Sequence, residues 1–277
     1  MKVVSVQALE KIAKDVRMDV LKEVYMAKSG HPGGSLSCVD ILTVLYFNQM
    51  NIDPKKPRAE ERDRFVLSKG HCAPALYAVL SEKGYFKKEE LVGLRKLDSS
   101  LQGHPDMNKV PGVDMSSGSL GQGLSVANGM ALNSKIENLG YRVYCMLGDG
   151  EIEEGQVWEA AMTSAKYKLD NLCVIVDNNN LQIDGSIEDV KGLTHIEEKF
   201  ESFGFNVITV NGHKIKDIIK AFDKAKVTKG KPTAIIAITT KGKGVSFMED
   251  KAEWHGKAPN EEEYNLAISE LGTEQKK

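Results

Sequence analysis

The chain has 277 residues, 41% of them hydrophobic and 27% charged, with a formal net charge of −2 at neutral pH. That is ample apolar material for one substantial core, and the near-neutral balance offers no general pull toward nucleic acid or an anionic membrane. The amino terminus lacks a basic segment followed by an apolar one, and no apolar run approaches the roughly 20 residues that span a bilayer, so a cytoplasmic protein is expected.

From Gln7 to Lys28 the residues Leu9, Ile12, Val16, Val20, Val24 and Ala27 recur at helical spacing, which predicts one amphipathic helix. The run Ser29-Gly30-His31-Pro32-Gly33-Gly34 is expected to stop it and to stay non-helical. A second helix is expected from Cys38 to about Asn48, then a polar, Pro-containing surface connection from Asn51 to Asp63. Beyond it, strand candidates are Phe65 to Leu67, Val143 to Leu147, Leu172 to Val176, Phe205 to Val210 and Thr233 to Thr239. Between them lie helix-like segments at about 72–83, 119–138, 154–168, 195–203 and 214–227. Nearly continuous apolar strands separated by helices predict an α/β fold, a parallel sheet covered by helices on both faces. In such folds ligands bind beyond the carboxyl ends of the strands. Residues 1–277 read as a single domain, with a polar tail after about Glu261 that ends in disorder from Glu274 to Lys277. The four cysteines lie dozens of residues apart without a C-x-x-C pair, which favours buried free thiols over disulfides or zinc. Lys241-Gly242-Lys243 reads as a solvated basic loop.

Chemistry gathers at two strand ends. Leu147-Gly148-Asp149-Gly150 closes one strand, and Val176-Asp177-Asn178-Asn179-Asn180 closes the next. A carboxylate, an amide oxygen and a nearby backbone carbonyl on one rim suit a hard divalent cation that accepts phosphate as co-ligand. A lone Gly-Asp-Gly is as readily turn chemistry; paired with the asparagine run it is far more specific. Glu151 and Glu153 read as carboxylates that favour a helix amino terminus through its dipole.

Three further segments hold a histidine among glycines: Ser29-Gly30-His31-Pro32-Gly33, Ser68-Lys69-Gly70-His71 and Gly103-His104-Pro105. Gly118-Ser119-Leu120-Gly121-Gln122-Gly123 then opens a helix, Asp184-Gly185 follows the asparagines, and Trp254-His255-Gly256 lies near the end. In this order and spacing the chain resembles the amino-terminal, thiamine diphosphate-binding domain of transketolase from about residue 5 to 260. The resemblance implies that Asp149, Asn179 and the Leu181 carbonyl hold Mg²⁺, with Ca²⁺ as a substitute. It implies that His71 and the Gly150 amide contact the diphosphate, and that Gly118, Ser119 and Leu120 line the cofactor site. Glu154 matches an acidic residue that supports the carboxylate network between active sites. His31 and His255 would orient a ketose and shuttle its protons, His255 also bordering the cofactor, while His104 would bind the oxygens of the two-carbon fragment. His195 and His213 sit in ordinary polar contexts and read as structural or solvent-exposed.

The family commonly has Gly-Pro-Leu where this chain has Gly118-Ser119-Leu120, and Ala-Pro-Leu where it has Gly34-Ser35-Leu36. The resemblance also implies a missing part, because a glutamate that activates the cofactor belongs to a second, pyrimidine-binding domain. The expectation is therefore a split enzyme: a partner in the form of a carboxy-terminal subunit, an α₂β₂ heterotetramer, and transfer of a two-carbon ketol unit between sugar phosphates. The alternatives are another thiamine diphosphate enzyme subunit (deoxyxylulose-phosphate synthase-like or 2-oxo acid dehydrogenase-like) and a non-catalytic regulatory subunit.

Overall fold

The computed structural model describes residues 4–273. Helix α1 (Val6–Ala27) starts where the Ser5 hydroxyl accepts from the Ala8 amide, and it ends at Lys28 in a left-handed conformation. The next six residues are not the uninterrupted breaker that composition suggests. Gly30 turns the chain at φ +146°, but α2 (Pro32–Ser37) follows at once. Proline at a first helical position has its φ preset and loses no intrahelical bond. Gly33 is required by packing, since a Cβ there would stand 2.8 Å from the Trp254 carbonyl oxygen. Helix α3 (Val39–Val44) runs into one wider π turn, Leu45–Gln49.

The five expected strands are all present: β1 (Arg64–Leu67), β2 (Val143–Gly148), β3 (Leu172–Asn178), β4 (Asn206–Asn211) and β5 (Thr233–Ile238). They form one parallel sheet in the order β1-β2-β3-β5-β4. Helices α4 (Ala73–Lys83), α5 (Gly123–Ile136), α6 (Gly155–Lys166), α7 (Ile187–Val190), α8 (Ile196–Ser202) and α9 (Ile215–Val227) complete the crossovers. Each inner strand feeds two cores. Tyr144, Met146, Cys173, Ile175 and Ile235 pack with residues of α1, α3, α4 and α9. Val143, Cys145, Leu147, Val174, Val176 and Ile236 pack with those of α5, α6 and α8. Side chains alternate across a strand, so burial on both faces removes the polar half of the pattern and leaves the continuous apolar runs seen in the sequence.

From Glu261 the expectation of a polar tail is corrected. Helix α10 (Glu261–Thr273) lies there, with Ala267 and Leu271 buried in the same core as α1. The expected disorder from Glu274 to Lys277 lies outside the described residues. All four cysteines are buried and free. No helix among the described residues is long and apolar enough to cross a membrane.

Candidate functional site

Strands β2, β3 and β5 end in register, Gly148 opposite Asp177 and Asp177 opposite Ala237. Their carboxyl ends therefore release three loops onto one rim, and a cavity of about 340 Å³ opens there. His31, His71, His104, Gly118, Leu120, Asp149, Gly150, Glu154, Asn179, Leu181 and His255 all line it. Of the sequence-predicted set only Ser119 is not part of the lining, and it is exposed.

On the sheet side the cavity is a ring of oxygens. Asp149 is 3% exposed; its carboxylate accepts from the Gly150 amide at 2.9 Å and from the Asn180 amide. Burial, with the Asp177 charge adding to it, pushes its pKa up to about 7. Asn179 points its amide oxygen back to the Leu181 N–H at 3.2 Å, and Asn180 takes the left-handed backbone that brings the loop round. Lys241 is 2% exposed and its ammonium donates to the Leu181 carbonyl at 3.0 Å, with His255 Nδ1 at 3.1 Å. The solvated loop expected at Lys241-Gly242-Lys243 is thus corrected at its first residue. Only Lys243 has the expected surface character, pairing with Glu249. Among the described residues no three His, Cys, Asp or Glu side chains gather as a metal site. A cation on this rim depends on one carboxylate together with amide and carbonyl oxygens, a donor set for a hard ion.

Facing the oxygens are imidazoles. The His31, His71 and His255 rings pack mutually with centroids 5.1–5.5 Å apart. Burial lowers the His31 pKa to about 4, helped by His71, and lowers His255 to about 3, helped by Lys241. Burial likewise lowers His104, which stands against Gly118. His31, His104 and His255 are thereby held neutral near pH 7, able to accept a proton or a hydrogen bond. His31 Nδ1 is buried with no partner among the described residues, a polar atom open to a ligand.

Behind the rim, two buried carboxylates hold the loops. Glu151 accepts from the Ser68 hydroxyl, the Gly121 amide at 2.9 Å and the Gly148 amide at 3.0 Å, tying together the ends of β1 and β2 and the loop before α5. The helix-dipole reading of Glu151 is therefore too weak. Asp177, fully buried, accepts from Lys69 Nζ at 2.5 Å, Ser37 Oγ at 2.5 Å and Thr239 Oγ1 at 2.5 Å.

The family profile described as transketolase, thiamine diphosphate binding domain, matches residues 8–277. The chain belongs to the transketolase family. An apulose-4-phosphate transketolase subunit of Phocaeicola vulgatus is 45% identical over 266 residues, 96% of this chain and 94% of that one. A 6-deoxy-6-sulfo-D-fructose transketolase subunit of a Clostridium species is 44% identical over 266 residues, 96% of this chain and 97% of that one. Transketolase of Homo sapiens is 46% identical over 256 residues, 91% of this chain but only 40% of the human protein. The crystal structure of transketolase from Campylobacter jejuni superposes with a TM-score of 0.92 at 36% identity, covering 97% of this chain and 43% of that one. The chain thus has the length of the named subunits and less than half that of the full-length transketolases.

Within this transketolase-type domain, sequence reasoning missed Lys69, Lys241, Asp177 and Glu151. Each follows the carboxyl end of a strand or closes it, so asking every strand end for its charged residues would have found all four.

Proposed function

We propose that this chain is the diphosphate-binding subunit of a split transketolase that moves a two-carbon ketol unit from a ketose phosphate to an aldose phosphate. The observation that carries the reading is the single cavity in which Asp149, Asn179 and the Leu181 carbonyl face His31, His71 and His255. The fit to a divalent cation rests on the donor set and on Asp149, a buried carboxylate held by two backbone amides and in no direct ion pair among the described residues. Asp149, Asn179 and Leu181 would hold Mg²⁺, with Ca²⁺ able to substitute, and His71 and the Gly150 amide would meet the diphosphate. Gly118 and Leu120 would line the cofactor site, with Ser119 outside the cavity lining, and Glu154 would support the carboxylate network between active sites.

Thiamine diphosphate, when bound, supplies the electron sink for breaking the bond beside a ketose carbonyl. The chain's own residues orient and exclude water. His31 and His255, held neutral by burial, accept protons from sugar hydroxyls and return them, and His104 donates to the oxygens of the two-carbon fragment. Relatives of matching length are named as subunits, which supports a partner carrying the pyrimidine-binding domain, in an α₂β₂ assembly. The same names differ in their sugars, so the ketose is assigned only as a class. A cytoplasmic setting fits the free cysteines.

The test is to assay the purified chain with ketose phosphate, aldose phosphate, Mg²⁺ and thiamine diphosphate, alone and with the candidate partner. Activity only in the mixture is expected. Full activity from the chain alone would overturn the split-enzyme reading.

A further inference from the structure

The histidine set aside as structural, His213, sits at a joint that leads into the cavity. The turn Asn211-Gly212-His213 follows β4 and docks on the end of β5: the Gly212 amide donates to the Ile238 carbonyl at 2.8 Å. Gly212 is needed for that approach, because a Cβ there would stand 2.4 Å from the Thr239 methyl group. The imidazole then makes two bonds of 2.8 Å, Nδ1 to Asp40 Oδ2 and Nε2 to the Thr240 backbone nitrogen. A backbone N–H can only donate, so Nε2 is the acceptor and the proton resides on Nδ1, pointing at Asp40. Asp40 is in turn fixed by both terminal nitrogens of Arg17, at 3.1 and 2.5 Å. The path therefore runs from α1 through α3 to one backbone amide, and the residue after that amide is Lys241.

Lys241 is a buried cation without a carboxylate in direct contact among the described residues; its neighbours are a carbonyl and an imidazole nitrogen. By contrast the other buried lysine of the site, Lys69, is neutralised by Asp177. Asp149 attracts Lys241 from a distance, but an ammonium held in a cavity with no carboxylate in direct contact keeps room for an anion.

We infer that His213 is a positioning residue for anion recognition: by holding the Thr240 amide it sets where the Lys241 ammonium meets a diphosphate. The inference rests on the proposed function, in which the cavity receives a diphosphate. Orientation by an outer hydrogen bond of this kind typically changes affinity ~10- to 100-fold when lost from metal ligands, and somewhat less is expected one residue removed.

The experiment is calorimetric titration of the full chain with inorganic diphosphate and Mg²⁺. Two near-isosteric substitutions separate the two ring nitrogens. His213→Gln keeps an oxygen near the Nε2 position and so can still accept from Thr240, whereas His213→Asn keeps only a group near Nδ1. Lys241→Met should weaken binding about tenfold or more, and His213→Asn about three- to tenfold. His213→Gln should stay within about twofold of the parent, and His213→Asn should add nothing in the Lys241→Met background, since coupled residues are non-additive. Equal losses from His213→Gln and His213→Asn, or additive losses with Lys241→Met, would show a merely structural tie and overturn the inference. So would undiminished binding in His213→Asn or in Lys241→Met, while the cavity's role as a diphosphate site stood. No diphosphate binding by the parent chain with Mg²⁺ would overturn both.

Discussion

Replacing Asp149 by Asn should make the metal-free chain more stable while abolishing its response to Mg²⁺. Burial and the neighbouring Asp177 move the Asp149 carboxyl from its ordinary 3.8 to about 7. Above pH 7 that displacement costs the folded chain up to about 4 kcal/mol, at roughly 1.36 kcal/mol for each tenfold change in acidity. Against this, the amide has one oxygen where the carboxylate has two. It can still accept from Gly150 or from Asn180, but not from both, which forfeits a hydrogen bond of about 1–2 kcal/mol. The balance is about 2 kcal/mol in favour of Asp149→Asn, a rise in Tm of roughly 4–8 °C for a chain of this size. Below pH 3.8 the carboxyl is protonated both folded and unfolded, so no cost exists there. The cost grows between 3.8 and about 7 and is complete above. The advantage of Asp149→Asn should accordingly be largest near pH 8 and close to absent near pH 4. Urea unfolding with a chelator present measures it, and calorimetry with thiamine diphosphate and Mg²⁺ measures binding. A variant less stable than the parent at pH 8 would refute the burial argument; undiminished Mg²⁺-dependent binding would refute the metal assignment.

Asp177→Ala strands the buried Lys69 ammonium and should cost about 3–5 kcal/mol, the range for breaking a buried pair; a shift in urea midpoint worth under ~1 kcal/mol would contradict the pairing. His31→Ala and His255→Ala should each lower turnover of the enzyme reconstituted with its partner by ~10²- to 10⁴-fold. His195→Ala is the control, since that ring is 68% exposed beside Glu198, and equal losses from all three would mean a general stability effect. Because the folded chain holds His31 near 4 while an unfolded chain titrates at 6.5, the unfolded state binds the extra proton between those values and acid weakens the fold there. His31→Gln removes this burden, so its Tm relative to the parent should improve as pH falls from about 7 to 5; a constant difference across that range would count against a buried neutral imidazole.

The strands were legible because a sheet buried on both faces leaves little choice but apolar residues, and all five appear within a residue or two of their expected places. Helix α2 was not, because Pro32, Gly33 and Gly34 each argue locally for a loop. What favours the helix is close packing on Trp254, about 220 positions away in the chain, which no local pattern contains. Helix α10 was hidden for a related reason: its apolar residues are few, but Ala267 and Leu271 complete a core begun by α1. At the site the histidines stood out because glycines surround them, whereas Lys241 looked like part of a solvated loop and Lys69 carried no signal of its own. Only the strand ends they follow mark them as interior.

Those two lysines differ in a way that bears on how the site works. Lys69 has its counter-ion built in, in Asp177, and that pair, braced by Ser37 and Thr239, does not need a ligand to be satisfied. Lys241 and Asp149 attract each other but form no direct ion pair among the described residues. Each is held by neutral groups, the ammonium by a carbonyl and an imidazole, the carboxylate by two amides. A structure seeking only stability would close them into a pair or replace them with apolar residues. Kept apart, they leave one oxygen-rich rim short of a cation and one nitrogen-rich wall short of an anion. A divalent cation bound with a diphosphate answers both deficits together, so its binding should relieve the folded state as well as occupy it. At a hundredfold excess over Kd, simple linkage already adds about 2.7 kcal/mol to stability. Removing Asp149 should then erase most of that ligand-dependent gain, and a tenfold weakening on removing Lys241 should erase about half of it, because a cation or an anion alone would leave the other's charge unmatched.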